Sequence, residues 1–193
     1  MKKKIELFIL MSCFCAFLTY GQEPNSSNTD SRLGVKLSYF GEFVMHPGFA
    51  IGLDYSLYRN NWLNVHWDSE IGAYDHKWNN NSLFIQSTIG SRFTTSFSAL
   101  VDINVGLGYM LSTPNGDFYT VDNNGELSPK GKPYTSHLKP NISLLIGWDG
   151  SHRKNIPLII QAGIEAYWQS HVNHSFLPHA ALRLGVVYLL KNK

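Results

Sequence analysis

The chain has 193 residues, of which 44% are hydrophobic and only 16% are charged. Soluble domains carry about 25% charged residues, so the low charge argues against a disordered, coiled-coil or nucleic-acid-binding protein, each of which needs many charges. The length suits a single domain. The formal net charge of +2 changes once the N-terminus is considered.

Residues 1–21 have the order of a secretory signal peptide. Lysines at positions 2–4 precede an apolar run over Leu7–Leu18, and Thr19-Tyr20-Gly21 offers small residues for cleavage before Gln22. The apolar run is shorter than the roughly 20 residues that a membrane-spanning helix needs. Cleavage would leave 13 basic and 13 acidic residues, so the predicted mature net charge is zero.

Both cysteines of the chain, Cys13 and Cys15, lie inside this predicted signal. The mature protein is therefore expected to have no disulfide, no thiolate metal site and no cysteine nucleophile. Lipoprotein processing at Cys13 is an alternative, although apolar residues follow it where a polar tether is usual. Residues 22–32 are polar and are predicted to form a flexible periplasmic lead-in.

From Leu33 onward, apolar and polar residues alternate, which is the period of a strand with one apolar face. No segment keeps the 3.6-residue apolar stripe of an amphipathic helix. Segments of roughly 9–12 residues are long enough to cross a bilayer as tilted strands. The eight predicted strands cover residues 33–40, 49–57, 63–72, 83–93, 101–109, 141–148, 158–169 and 180–188.

The composition of the polar face predicts which side of the strands points inward. Every segment places glycine there, whereas a water-exposed face would favour lysine, glutamate and threonine, because glycine weakens strands. Small residues with a few opposite charges suit the narrow interior of an eight-stranded barrel. Aromatic residues near both ends of the apolar face fit the interfacial girdles of membrane barrels.

We therefore predict an all-β fold, an eight-stranded antiparallel up-and-down transmembrane β-barrel over residues 33–190. The alternative is a soluble lipocalin-like carrier, whose apolar face would turn inward around a hydrophobic ligand.

The predicted connections differ in length at the two ends of the barrel. Turns at Arg59–Trp62 and Thr94–Ser98 are short, whereas the opposite end carries longer loops. An even strand number leaves both termini on the short-turn side, which predicts periplasmic termini. The longest loop, Leu111–His137, has turn signals on either side of Phe118–Val121, which predicts a short hairpin beyond the membrane.

In this strand pattern and the Thr19-Tyr20-Gly21-Gln22 processing site, the chain resembles small eight-stranded outer-membrane barrels of Gram-negative bacteria, especially the Bacteroidetes-type outer membrane protein β-barrel domain. The resemblance covers residues 33–190 and is architectural. It implies insertion among outer-membrane lipids by the barrel-assembly machinery, and it implies no particular activity. Such barrels often end in an aromatic residue, whereas this chain ends Tyr188-Leu189-Leu190-Lys191-Asn192-Lys193, so the assembly signal would be internal.

Strand parity directs a set of charged residues into the lumen, together with His66. Five acids and three bases in a narrow interior are expected to pair, because unpaired buried charge is costly. We predict a charge network that plugs the barrel, with a proton or ion path as the alternative. The predicted network consists of Lys36, Asp54, Asp68, Glu70, Arg92, Asp102, Glu165 and Arg183.

Six of the eight histidines lie in or beside the predicted outer loops. Parity turns His76, His137, His171 and His179 toward the barrel mouth, and a last hairpin centred on Ser175 would set His171 opposite His179. Converging imidazoles can bind Zn²⁺ or Cu²⁺, so these four form a candidate metal site. The alternative is that histidine is merely tolerated in polar loops. No other cofactor is expected.

Lipid A deacylases and palmitoyltransferases are also small outer-membrane barrels, and His171, His174 and Ser175 lie near the rim height of their catalytic residues. The deacylase pattern places serine two residues after the histidine, whereas Asn173 and Phe176 stand in those positions here. We therefore expect no catalysis, with lipid modification as the alternative. The predicted role is structural, adhesive or that of an accessory subunit, with another outer-membrane protein as a candidate partner and no nucleic acid.

Overall fold

The computed structural model describes residues 32–77, 80–116, 118–121, 125–131, 133–153, 156–172 and 175–190. The predicted signal peptide and all but the last residue of the predicted lead-in lie outside the described residues, so both stay predictions. Among the described residues, no helix is long and apolar enough to cross a membrane.

The described chain is almost entirely β-strand. Its elements are β1 (Leu33–Glu42), β2 (Gly48–Arg59), β3 (Leu63–His76), β4 (Asn80–Thr94), β5 (Ala99–Pro114), β6 (Phe118–Val121), β7 (Leu127–Lys130), β8 (Thr135–Asp149), α1 (Gly150–Arg153), β9 (Leu158–Val172) and β10 (Ser175–Leu189). Eight strands close into an antiparallel barrel in the order β1-β10-β9-β8-β5-β4-β3-β2, and β6 and β7 form a separate two-stranded sheet. The predicted eight-stranded antiparallel barrel is confirmed.

The two ends of the barrel are named here by what they carry. The terminal end holds Leu33 and Leu189, where the barrel begins and ends. The predicted contrast in connection length holds for the long β5–β8 connection at the other end, but it is wrong for β3–β4 and β9–β10, because those strands extend beyond the alternating residues and are separated by only three and two residues, fewer than the eight between β8 and β9 at the terminal end. The loop end lies opposite and carries the β6–β7 hairpin. Strands extend farther toward the loop end than alternation predicts: β8 begins at Thr135 and β5 runs to Pro114. Ser112 pairs with Thr135 there, because the backbone ladder continues beyond the residues that alternate in polarity.

Short turns at the terminal end are held by local hydrogen bonds. Between β2 and β3, Asn60 Oδ1 accepts from the backbone amides of Trp62 at 2.9 Å and Leu63 at 2.7 Å, an Asx-type turn. Between β4 and β5, the Thr95 amide donates to the Ala99 carbonyl at 2.8 Å. The helix α1 connects β8 to β9 at the same end.

Two connections at the loop end are defined by backbone pairing. A tight turn over residues 43–45 joins β1 to β2, and Glu42 pairs with His46 across it. Phe43 and Val44 in this turn have left-handed φ angles of 45° and 68°. Farther out, β6 pairs with β7 from Phe118 to Val121, so the hairpin predicted around that segment is confirmed.

The barrel is apolar outside and polar inside. Outward-facing residues along the strands are large and aliphatic, for example Ile51 (55% exposed), Ile71 (49%) and Ile146 (62%). The lipocalin-like alternative is wrong, because it requires the apolar side chains to line the interior. In water this outer wall would cost about 25 cal/mol for every Å² of apolar surface left uncovered.

The interior is stacked in three layers along the barrel axis. A lower apolar layer closes the terminal end and consists of Leu100, Ile159, Val187 and Leu189. The middle layer is charged. An aromatic layer lies toward the loop end and consists of Phe40, Ala50, Tyr74, Phe84, Met110, Tyr167 and Ala181.

Candidate functional site in the lumen and at the loop end

All eight charged residues predicted for the lumen lie inside the barrel. None is more than 4% exposed, and Arg92 and Asp102 are fully buried. Their strands alternate regularly, so each side chain projects inward from its own wall and meets partners from other walls. The buried charge is stabilised by these pairs, because an unpaired charge in a dry interior would cost several kcal/mol.

Arg92 on β4 is the centre of the pairing nearest the terminal end. Its guanidinium Nη2 lies 2.8 Å from Asp54 Oδ2 on β2, and its Nε donates to Asp102 Oδ2 on β5 at 2.9 Å. One arginine thus links three strands. His66 extends the group, since its Nε2 lies 3.6 Å from Asp102 Oδ2 and 3.9 Å from Asp68 Oδ2.

Lys36 and Arg183 continue the network toward the loop end. Lys36 Nζ contacts Asp68 Oδ2 at 2.6 Å and Glu70 Oε1 at 2.9 Å. Arg183 Nη2 donates to Glu70 Oε2, and its Nε lies 3.6 Å from Glu165 Oε2. Because β10 and β3 are three strands apart around the barrel, the Arg183–Glu70 pair crosses the lumen.

Lys139 is a member of this network that the sequence pattern did not identify. It is fully buried, its Nζ binds Glu165 Oε1, and it donates to Gln86 Oε1 at 2.6 Å. Predicted strand 141–148 began two residues too late to include it. Leu138 precedes it, but Pro140 follows it in the sequence, and a proline argues against the interior of a strand. Asn141 and Ser143 point inward, and the same alternation continued two residues toward the N-terminus predicts that Lys139 points inward as well.

The aromatic layer lies directly against the charged layer. Lys139 Nζ sits 4.4 Å from the centre of the Tyr167 ring and 4.9 Å from that of Phe84, distances at which a cation is attracted to a ring face. Phe40 on β1 and Phe84 on β4 have ring centres 5.0 Å apart, and Tyr167 Oη donates to Tyr74 Oη at 3.4 Å. Because β9 and β3 face each other across the barrel, these contacts close the lumen.

The lumen is too crowded for side chains at several glycines. A Cβ at Gly90 would lie 1.9 Å from Asn104 Oδ1 and 2.6 Å from His66 Cε1. A Cβ at Gly72 would lie 2.5 Å from the Phe84 ring. The inward glycines therefore make room for large inward side chains on neighbouring strands, as close packing of the interior requires.

Of the four histidines predicted as a metal site, His76 alone belongs to a cluster of close ligand atoms among the described residues. His179 pairs with Tyr167 across the β9–β10 hairpin, so the predicted opposition of His171 and His179 is wrong. The register shifts between Ser175 and Leu177, and no sequence pattern signals this irregularity. His137 is buried with its Nδ1 2.6 Å from the Ser170 carbonyl oxygen. The side chain of His171 lies outside the described residues.

A different histidine cluster forms at the loop end. Ligand atoms of Glu42, His46 and His76 lie within 4.8 Å of one another, and the His46 and His76 rings stack with their centres 3.5 Å apart. His179 joins through Glu42, since its Nδ1 lies 2.6 Å from Glu42 Oε1. The sequence analysis placed His46 in a loop and did not select Glu42. Every second residue of β1 points inward from Lys36 through Ser38 and Phe40, and Glu42 is the next in that series.

A second histidine–carboxylate cluster lies in the charged layer. Asp54, His66 and Asp68 also bring ligand atoms within 4.8 Å of one another, and all three are buried. Both carboxylates already pair with Arg92 or Lys36. This cluster is therefore part of the internal ion-pair network.

The residues considered for lipid chemistry belong to the segment where β9 ends and β10 begins. His174 and Asn173 lie outside the described residues, as do the side chains of His171 and Ser175. The expectation that the chain is not an enzyme stays a prediction.

The fold is similar to those of solved outer-membrane proteins. The N-terminal β-barrel domain of Pseudomonas aeruginosa OprF has a TM-score of 0.51 at 12% identity, covering 84% of this chain and 100% of that chain. Neisserial surface protein A (NspA) has a TM-score of 0.52 at 11% identity, covering 82% and 96%. The outer membrane enzyme PagL has a TM-score of 0.50 at 14% identity, covering 81% and 99%.

At these identities the likeness is one of fold. No protein-family model and no curated sequence matches the chain, so membership of the Bacteroidetes-type family stays a prediction. The three solved structures named above are small eight-stranded outer-membrane β-barrels.

Proposed function

We propose that this chain is a bacterial outer-membrane β-barrel with a sealed lumen and a non-catalytic role, either structural, adhesive or as an accessory subunit. The observation that carries the proposal is the combination of an apolar outer wall with an interior that is filled from wall to wall. The apolar outer wall is suited to contact with lipid. Because the interior is filled, the two ends of the barrel are the surfaces available for binding.

The membrane part of the proposal rests on strand length and hydrogen bonding. The barrel strands have 10–16 residues, whereas a tilted strand crosses a bilayer with about 9–11. Because the sheet is closed, the backbone N–H and C=O groups of neighbouring strands hydrogen-bond to one another, which lipid could not do for them. With both barrel termini at the terminal end and the long β5–β8 connection at the loop end, the terminal end would face the periplasm and the loop end the outside.

The sealed lumen is supported by contacts between strands that are not neighbours. Lys139 on β8 reaches Gln86 on β4, and Arg183 on β10 reaches Glu70 on β3. The lower apolar layer and the aromatic layer lie on either side of these pairs. An ion entering the lumen would have to break buried ion pairs between two apolar layers, which opposes conduction.

The loop end offers exposed side chains for contact with a partner or surface. On the β6–β7 hairpin, Tyr119 is 56% exposed, Val121 66% and Leu127 70%, and the nearby Tyr134 is 79% exposed. Tyrosine is enriched at protein interfaces, and the exposed aliphatic side chains add apolar area beside it. They stand beyond the lipid-facing band, so they support an adhesive or accessory-subunit role.

A matched pair of arginine substitutions tests the membrane assignment. Ile71→Arg places a charge at mid-height on the outer wall and should destabilise the barrel by about 2–4 kcal/mol in bilayers. Val121→Arg makes the same change on the hairpin and should have little effect, because the residue faces water. The measurements are outer-membrane fractionation, heat-modifiable gel migration and urea unfolding in vesicles. A water-soluble wild-type pool, or equal effects of the two variants, would contradict the assignment.

The non-catalytic part is tested in cells by mass spectrometry of lipid A from wild-type and deletion strains. We expect the same lipid A species in both. A species whose acyl chains change on deletion and return on complementation would show lipid chemistry and overturn this part of the proposal.

A further inference from the structure

Three neighbouring strand ends bring Glu42, His46 and His76 into one row at the loop end. The β1–β2 register pairs Tyr39 with Phe49, and continued across the tight turn it pairs Glu42 with His46. The Glu42 and His46 backbones exchange both hydrogen bonds at 3.0 Å. The β2–β3 register pairs Gly48 with Tyr74, which sets His46 level with His76. The three side chains therefore share the inward face, one step beyond the aromatic layer.

The atoms that meet in this row lack partners of their own. Glu42 is only 2% exposed, yet its Oε2 has no hydrogen-bond partner among the described residues. The buried Nδ1 of His76 likewise has none. A buried carboxylate oxygen without a donor costs free energy unless a ligand or cation meets it. His46 and His76 are half-buried, so the row is reachable from the loop end.

We propose that Glu42, His46 and His76 form a binding site for a divalent transition-metal ion, with Zn²⁺ as the ion that the donors fit. One carboxylate oxygen and two imidazole nitrogens are a donor set that Zn²⁺ uses, with a fourth position left for water. The ligand atoms lie within 4.8 Å of one another, and ligands about 2.0–2.2 Å from a shared ion need only a modest contraction of that spacing.

Metal binding requires one movement and is assisted by a fixed neighbour. The His46 and His76 rings are stacked at an interplanar angle of 20°, so one ring must turn about its Cβ–Cγ bond to aim its nitrogen at the ion. Glu42 is held by His179, whose own ring stacks on Tyr167 at 4.9 Å. A hydrogen bond to a ligating carboxylate orients it toward a metal, so His179 is a positioning residue.

The site goes beyond the proposed barrel function and does not depend on a sealed lumen. Its test is calorimetric titration of the mature protein with ZnCl₂, using protein purified in detergent from outer membranes and carrying no histidine tag. We expect one Zn²⁺ per chain with micromolar affinity or tighter. His46→Ala and His76→Ala should each weaken binding at least tenfold, and His179→Ala should weaken it about 10–100-fold.

His152→Ala is the matched control, because His152 is an exposed histidine of α1 at the terminal end. It should bind Zn²⁺ as the wild type does. Heat-modifiable migration verifies that each variant is folded, and His→Gln replaces any alanine variant that is not. Absence of wild-type binding at micromolar Zn²⁺ would overturn the site. So would unchanged affinity in the His46 and His76 variants, or an equal loss in His152→Ala.

Discussion

Two histidine–carboxylate clusters of similar spacing lie among the described residues of the barrel, and their surroundings differ. In the lumen, Asp54 and Asp68 around His66 are paired with Arg92 at 2.8 Å and Lys36 at 2.6 Å. At the loop end, Glu42 Oε1 lies 2.6 Å from His179 Nδ1, and the described residues give Glu42 no ion pair with lysine or arginine. The lumen cluster has its cations in the chain, whereas the loop-end cluster has room for one from solution.

The comparison shows that the spacing of ligand atoms does not by itself define a metal site. A metal ion entering the lumen cluster would meet two resident cations, and the repulsion between like charges in a poorly screened interior is large. At the loop end an ion meets one carboxylate and two imidazoles, with no lysine or arginine paired to them among the described residues. Charge compensation therefore separates the internal structural cluster from the proposed binding cluster.

The largest effect on stability is expected when Arg92, one of the cations of the charged layer, is removed. Arg92→Ala leaves Asp54 and Asp102 buried without their common partner, which should cost about 3–5 kcal/mol in the free energy of unfolding. The measurement is urea unfolding in vesicles. Arg59→Ala is the control and should cost less, since Arg59 is partly exposed, its Nη2 lies 3.7 Å from Asp149 Oδ2, and Asp149 keeps two hydrogen bonds from Ser151 without it. Equal losses would mean that the lumen pairs do not stabilise the barrel.

At the loop end, the corresponding effect comes from adding a cation. If Zn²⁺ binds only the folded barrel, Zn²⁺ at 100 times its Kd stabilises the wild type by about 2.7 kcal/mol. The same titration should leave the stability of a His46→Ala/His76→Ala variant unchanged. Stabilisation of the double variant by the same amount would place the bound metal elsewhere.

A smaller effect on stability is expected when a methyl group is added beside His66 without a change in charge. Gly90→Ala would force Asn104 and His66 aside and should cost about 1–3 kcal/mol. Gly131→Ala is the control, because a Cβ there meets nothing within 4 Å. Thermal unfolding of both variants gives the comparison, and a neutral Gly90→Ala would indicate a looser interior than the contacts describe.

Much of the fold was predictable because lipid and a narrow lumen impose period-two alternation on each strand. The inward direction of Lys36, Asp54 and Arg92 followed from parity alone. Strand ends were less predictable, because the backbone ladder of β8 extends through polar residues beyond the alternating band. Lys139 was missed for this reason, although it is fully buried in the network.

The loop end was the least predictable part because its geometry depends on turns. Strand parity predicted that His76 and His179 point inward. His76 belongs to the Glu42 cluster, and His179 contacts Glu42. The predicted opposition of His171 and His179 is wrong, because Val172 already pairs with Ser175 and the hairpin is therefore not centred on Ser175. Glu42 and His46 meet only because a three-residue turn with two left-handed residues continues the ladder.

The central claim is a barrel whose lumen is closed by its own side chains. Planar-bilayer recording of the purified wild-type protein tests it most directly, with an Arg183→Ala variant that removes the cross-lumen partner of Glu70. We predict no stable single-channel conductance from the wild type. A reproducible wild-type conductance whose size or ion selectivity changes in Arg183→Ala would mean that ions pass through the charged layer, and it would contradict the sealed lumen.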